Sequence, residues 1–175
     1  MSGHSKWSKI KHQKAITDVK KSKIFSKLVR YIAVEAKKAK GDRNSPGLRL
    51  AIEKARQANM PGDNIDRAVD KASTSAEMES IMYEAYGPGG TAILISTLTD
   101  SRNRTNQEIK HLLTKNGGTP ANPGAASWAF TKNAEGIYEP TTTVELSDED
   151  LEKLGIIVDS LEEYDDVQDV YTNAA

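Results

Sequence analysis

Residues 91–118 read TAILISTLTDSRNRTNQEIKHLLTKNGG. The first nine, Thr91–Thr99, are rich in branched side chains and read as a strand. The period then changes. Thr105 and Glu108 have capping-box spacing and predict a helix to about Lys115, stopped by Gly117-Gly118. Further on, Ser127–Thr131 (SWAFT) and Thr141–Leu146 (TTTVEL) read as strands separated by the hairpin turn KNAEGIYEP. Ser147 with Asp150 caps a helix to about Glu163, and Val167–Thr172 closes the chain as a strand. The order from Thr91 is strand, helix, strand, strand, helix, strand, the split βαβ pattern of a ferredoxin-like sandwich. Right-handed crossovers put both helices on one face of an antiparallel sheet. Just upstream, Tyr83–Tyr86 reads as a short strand ending in the turn Gly87-Pro88-Gly89-Gly90.

The region before this is helical. Between Asp18 and Lys40 the apolar residues Phe25, Leu28, Val29, Ile32 and Ala36 recur every three or four positions, giving one buried stripe that Gly41 ends. Ser45-Pro46 places an N-cap before a first-turn proline. The helix it starts uses Leu48, Ala51, Ile52, Ala55 and Ala58, and Pro61 closes it. Asp63 is read as the cap of a third helix carrying Ile65, Ala68, Val69 and Ala72. The expected architecture is α+β: a basic arm over 1–16, a three-helix antiparallel bundle over 17–75 with a thin alanine-rich core, and an acidic ferredoxin-like domain over 76–175. The polar stretch 73–80 is the expected hinge.

A net charge of −1 hides a strong polarity. Residues 1–75 carry eighteen bases and seven acids, whereas residues 76–175 carry six bases and eighteen acids. The basic end sets up a field that attracts a polyanion, and nucleic acid is the commonest one in a cytoplasm. The absence of Cys excludes disulfides, thiolate metal sites and Cys nucleophiles. No apolar run is long enough to span a bilayer, and the start, MSGHSKWSKIKHQK, has no apolar signal-peptide core. A cytoplasmic location is expected.

The arm combines Lys6, Lys9, Lys11 and Lys14 with Trp7 and His12; the first helix adds Lys20, Lys21, Lys23, Lys27 and Arg30. Lys20, Lys23, Lys27 and Arg30 share one helix face, away from most of the apolar stripe, which suits phosphate contacts. Trp7 can stack on a base or pack on the protein. If about six lysines neutralise phosphates, log affinity falls against log salt with a slope near −5. In Ser101–Thr105 (SRNRT), Arg102 and Arg104 stand at a helix N-terminus and either clamp a phosphate or pair with acids of their own domain. The Gly87–Gly90 cluster lacks the spacing and lysine of a phosphate-binding loop and reads as a turn. His4, His12 and His111 make no metal-ligand spacing with any carboxylate. No nucleophile–base set stands out, so neither an enzyme nor a cofactor is expected.

Several segments carry a resemblance: GHSKWSKIKHQKAITDVKKSKIFSKL (3–28), ARQANMPGDNIDRAV (55–69), YEAYGPGGTAILISTLTDSRNRT (83–105), KNGG with SWAF, and DDVQDVYTN (165–173). With them the chain resembles the YebC/PmpR family along nearly its whole length. The resemblance implies a cytoplasmic, non-enzymatic regulator of gene expression, described for bacterial members as a DNA-binding transcriptional regulator. Other members act on the translating ribosome and ease synthesis of difficult segments such as proline runs. It maps the family's basic face onto Lys6, Lys9, Lys11, Lys14, Lys20, Lys21, Lys23, Lys27 and Arg30, and its RNR-type loop onto Arg102 and Arg104. Family members also have a third domain, which is expected to be missing here at the hairpin turn 132–140. The first expectation is thus a regulator that contacts duplex DNA; the alternatives are a translation factor that contacts ribosomal RNA and the ribosome, and a protein–protein adaptor. A lysine-rich, arginine-poor face favours backbone contact over base readout, which leans toward RNA shape. No membrane and no small-molecule substrate is expected.

Overall fold

The computed structural model describes residues 6–7, 18–73 and 77–175, with backbone alone at 18–20 and 73. The described residues fall into two compact units. One lies within Ile16–Glu79 together with Leu98–Asp100, the other within Met1–Ala15, Ser80–Thr97 and Ser101–Ala175. Most of the basic arm (8–16) and part of the expected hinge (74–76) lie outside the described residues.

The first unit holds helices α1 (Asp18–Lys38), α2 (Pro46–Gln57) and α3 (Gly62–Asp70). Their apolar stripes meet in one core that includes Ile32 and Ala36 from α1, Leu48, Ala51, Ile52 and Ala55 from α2, and Ile65, Ala68 and Val69 from α3. Phe25 and Leu28 pack on its edge. Val29, expected in the stripe, is instead 37% exposed. Ser45 caps α2 as expected, its hydroxyl accepting from the Leu48 N–H. The ends of α1 and α2 share one device. Gly41 N–H reaches Ala36 O at 2.9 Å with Lys40 left-handed at φ 52°, and Met60 N–H reaches Ala55 O at 2.9 Å with Asn59 at φ 61°. This is the Schellman pattern, which satisfies otherwise orphaned carbonyls. The left-handed stop of α1 is therefore Lys40, with Gly41 after it. The N-cap of α3 is Pro61, without a side-chain cap; Asp63 sits inside the first turn, where its charge still suits the helix dipole.

The second unit is a mixed α/β layer structure. Strands β1 (Glu79–Tyr86), β2 (Ala92–Thr99), β3 (Thr119–Ala121) and β6 (Val167–Thr172) form one sheet in the order β3-β1-β2-β6. β3 pairs antiparallel with β1, and β6 antiparallel with β2. β4 (Phe130–Lys132) and β5 (Tyr138–Pro140) make a separate two-stranded ribbon. Helices α4 (Arg102–Lys115) and α5 (Asp148–Glu163) lie on one face of the sheet. Ile109 and Leu113 of α4 and Leu151, Leu154, Ile157 and Leu161 of α5 share a core with Ile93 and Ile95 of β2. Ala92 and Leu94 point to the opposite face and meet Ala126, Ala129 and Phe130. β2 is covered on both faces, which is why it reads as a nearly continuous apolar run.

The α+β class and the two helices on one face of an antiparallel sheet hold. The strand roster does not. Ser127–Ala129 is a 3₁₀ turn, and the strand after it belongs to the small ribbon rather than to the sheet. Thr141–Leu146 is not a strand; it contributes an isolated parallel bridge between Val144 and Ala174. The strand after α4 is Thr119–Ala121, three residues with a proline in the middle. Proline is tolerated there because β3 is an edge, where one side needs no donor. The N-cap of α4 is Ser101, and Thr105 lies inside the helix with its hydroxyl committed elsewhere. Ser147 caps α5 as read, accepting from Asp150 N–H at 3.2 Å.

Candidate nucleic-acid interface

α1 has two faces with different work. Ile32 and Ala36 are fully buried on one. On a helix of 3.6 residues per turn, positions 20, 23, 27 and 30 lie on the opposite face. The structure thus puts Lys23, Lys27 and Arg30 on a single stripe; all three are half-buried, and Lys21 beside them is exposed. Lys37 and Lys38, in the last turn, prolong the basic surface and suit the helix C-terminus. They were not singled out from sequence, although the same count along the helix reaches them. Lys38 also pairs with Glu35 at 2.9 Å.

Other bases of this unit, before and within α2 and α3, also make contacts inside it. Arg43 pairs with Asp66 at 2.8 Å, and Arg67 donates to the Asp63 carbonyl and to the Asn64 side chain. Lys54 stacks over the Tyr31 ring at 5.4 Å. Such contacts orient bases, and over residues 16–79 fourteen bases outnumber nine acids.

Of the arm, Lys6 and Trp7 are described; Lys9, Lys11, His12 and Lys14 lie outside the described residues, as does the side chain of Lys20. Trp7 is buried in the α/β core with Leu154 and Val170, and its backbone N–H donates to the Ala175 carbonyl at 3.3 Å. The packing alternative therefore describes Trp7 here, and its ring is not presented for stacking. Lys6 pairs with Asp148 at the start of α5.

In the first turn of α4, one of the two arginines is tied to its own domain while its side chain stays half exposed. Arg104 reaches the Asp166 carboxylate at 3.0 Å. The same carboxylate oxygen accepts the hydroxyls of Thr105 at 2.7 Å and Tyr164 at 2.9 Å. Asp166 is buried, so this cluster is a structural tie between α4 and the approach to β6. Arg102 is exposed and lines a groove beside β1.

A second buried carboxylate was not anticipated. Glu84 on β1 accepts backbone N–H groups from Gly124, Ala126 and Ser127 at 2.7, 2.7 and 2.9 Å. Burial pushes its carboxyl up, but these donors outweigh that and hold it below the usual carboxylate range. It shapes a loop. Among the described residues no group of His, Asp and Glu is arranged to hold a metal ion, and no helix is long and apolar enough to cross a membrane.

Residues 5–75 match the sequence profile of the TACO1/YebC protein N-terminal domain, and residues 78–135 and 131–174 match that of the TACO1/YebC second and third domain. The chain belongs to the TACO1/YebC family. A relative from Fervidobacterium nodosum, a "probable transcriptional regulatory protein", is 37% identical over 235 positions that cover 99% of this chain and 93% of that protein. A relative of the same description from Petrotoga mobilis is 48% identical over 153 residues, 85% of this chain and 61% of that protein. The conserved hypothetical protein Aq1575 from Aquifex aeolicus has a similar structure, with a TM-score of 0.80 at 28% identity, covering 94% of this chain and 96% of that one. TACO1/YebC proteins are thus named as regulators, and this chain is a regulator at that level. The F. nodosum alignment is longer than the 175 residues of this chain, so that relative carries residues without a counterpart here.

Proposed function

We propose that this TACO1/YebC chain is a nucleic-acid-binding regulator of gene expression that grips the phosphate backbone with the basic face of α1 and the lysines of the N-terminal arm, duplex DNA being its target. The observation that carries this reading is the segregation of charge on α1: Lys23, Lys27 and Arg30 lie opposite Ile32 and Ala36 in a unit rich in bases. Lys20, Lys21, Lys9, Lys11, Lys14 and His12 extend the same charge along the sequence. The names of the relatives support a role in transcription. Arg104 is not part of the proposed surface, because Asp166 already holds it, and Trp7 is not part of it because its indole is buried.

A second reading, binding of ribosomal RNA as a translation factor, has one feature in its favour. The α1 face is built mainly from lysines, which neutralise phosphate as point charges and do not form the planar forks that read base edges. We also propose that the domain present elsewhere in the family is absent from this chain near the β4–β5 turn. The two matched segments of the family profile meet at residues 131–135, within that turn region. Removing an insertion from a hairpin leaves the flanking strands paired, so the sheet survives the loss.

The test is crosslinking in cells and sequencing of attached nucleic acid, with a Lys20/Lys23/Lys27→Glu variant as control. Discrete promoter DNA recovered only with the wild type supports the first reading; ribosomal RNA supports the second. Equal recovery with the variant sinks both and leaves the adaptor alternative.

A further inference from the structure

Trp128 lies on the face of the sheet away from α4 and α5. It is 59% exposed, more than any other large hydrophobic side chain among the described residues. The ring is nonetheless fixed. Its indole N–H donates to the Ala125 carbonyl at 2.9 Å and to the Tyr86 hydroxyl at 3.1 Å, and that hydroxyl donates to the same carbonyl. Ala126 and Ala129, which flank it, are fully buried against the sheet. The Glu84 carboxylate ties the turn down through the N–H groups of Ala126 and Ser127. The one polar atom of the side chain is thus committed to its own loop, and the ring is what faces solvent. A large aromatic ring held in place loses little freedom on binding, which is the property of an interface anchor.

The surroundings favour a cation over this ring. Strand alternation puts the Glu84 side chain on the face of Met82 and Tyr86, which pack with Ala126 and Phe130, whereas Tyr83 and Ala85 face the helices. The Glu84 carboxylate therefore lies under the turn, bonded to the residue next to Trp128, and it is ionised at neutral pH. Asp169 on β6 is exposed and shares this face with Tyr171. Residues 118–131 carry no charge, and the base that follows them, Lys132, already sits over the Tyr138 ring at 5.6 Å. Arg102 and Lys110 belong to α4, on the other face. The excess of acids over 76–175 repels polyanions and draws cations, and the electron-rich face of an indole attracts a cation in its own right.

We propose that the Trp128 turn docks a basic segment of a partner protein, one arginine of which stacks on the indole. A guanidinium is planar and weakly hydrated, so it lies flat on such a ring at less cost than an ammonium. The site belongs to the second unit and does not rest on the nucleic-acid role of α1.

The experiment selects a displayed library of random peptides, about eight residues long, on the full-length protein at physiological salt, with Trp128→Ala protein as the subtraction target. The enriched peptides are expected to carry arginine and to bind Trp128→Ala about ten-fold or more weakly, with a similar loss when the peptide arginine becomes glutamine. Duplex DNA affinity is expected to be the same in Trp128→Ala and wild type. Because that substitution also removes the hydrogen bonds of the turn, a second measurement keeps the shape. Mono- and difluorinated tryptophan, incorporated biosynthetically, weaken the ring's attraction for a cation. Affinity should fall with each added fluorine, and the ¹⁹F signal of Trp128 should move on binding while that of buried Trp7 stays in place. No enrichment of arginine overturns the proposal, as does equal binding to Trp128→Ala or an affinity indifferent to fluorination. Displacement of the peptide by single-stranded RNA, or a Trp128 signal that moves with protein concentration alone as a second copy covers the turn, overturns it too.

Discussion

Glu84 and Ala126, forty-two residues apart, are joined by a hydrogen bond of 2.7 Å from the Ala126 N–H to the buried carboxylate. With Gly124 and Ser127 it makes one side chain the organiser of the loop that ends β3. Burial raises the carboxyl and the three donors lower it further than burial raises it, so the folded value lies below the ordinary one. A carboxyl depressed by folding contributes stability that is present above its unfolded pKa of about 4.3 and lost as pH falls through the folded value. Glu84→Gln is expected to lower unfolding free energy at neutral pH by about 1–3 kcal/mol. Urea titrations of both proteins at neutral and at acidic pH check this: the gap between them should narrow on acidification, and a gap that widens contradicts the assignment.

Asp166 gathers Arg104, Thr105 and Tyr164 on one oxygen while buried. Removing it leaves these groups without their shared acceptor. Asp166→Ala is expected to cost about 2–4 kcal/mol, and Thr105→Val about 1–2 kcal/mol. A double-mutant cycle between the two positions should show strong coupling, because each single change breaks the same bond. Additive losses in thermal or urea unfolding would mean that the cluster does not act as a unit.

Gly89 and Gly90 both take positive φ, 64° and 77°, in the turn between β1 and β2. A Cβ at Gly90 meets open space, whereas one at Gly89 collides with the Leu146 side chain. Gly90→Ala therefore measures backbone strain alone, about 1–2 kcal/mol, and Gly89→Ala adds displacement of Leu146. Unfolding curves should rank Gly89→Ala as the more damaging of the two; the reverse order would place Leu146 elsewhere.

These pairings mark where local reading of the chain ends. α1, α2, α3 and α5 show their apolar stripes at helical spacing, and Ser45 and Ser147 announce two of the starts by their caps. β2 is legible because both its faces are buried. β3 is not, because three residues around Pro120 have neither alternation nor branched side chains. Thr105 and Glu108 mimic a capping box, yet the Thr105 hydroxyl goes to Asp166, sixty-one residues away. Trp7, an aromatic residue among lysines, suits either stacking or packing until the core that receives it is known. The α1 basic face is legible because one helix supplies all of it. The tie that withdraws Arg104 joins two distant segments, and no local pattern signals it.

The central claim is that α1 binds nucleic acid through its basic stripe, and the salt dependence of binding tests it most directly. Fluorescence anisotropy with labelled duplex DNA, and in parallel with a ribosomal RNA fragment, gives the slope of log affinity against log salt for the wild type and for Lys23/Lys27/Arg30→Glu. About six phosphate contacts predict a slope near −5 for the wild type, and losing three of them predicts about −2 to −3 with much weaker binding at every salt concentration. Equal affinity and equal slope in a variant that folds normally would contradict the account.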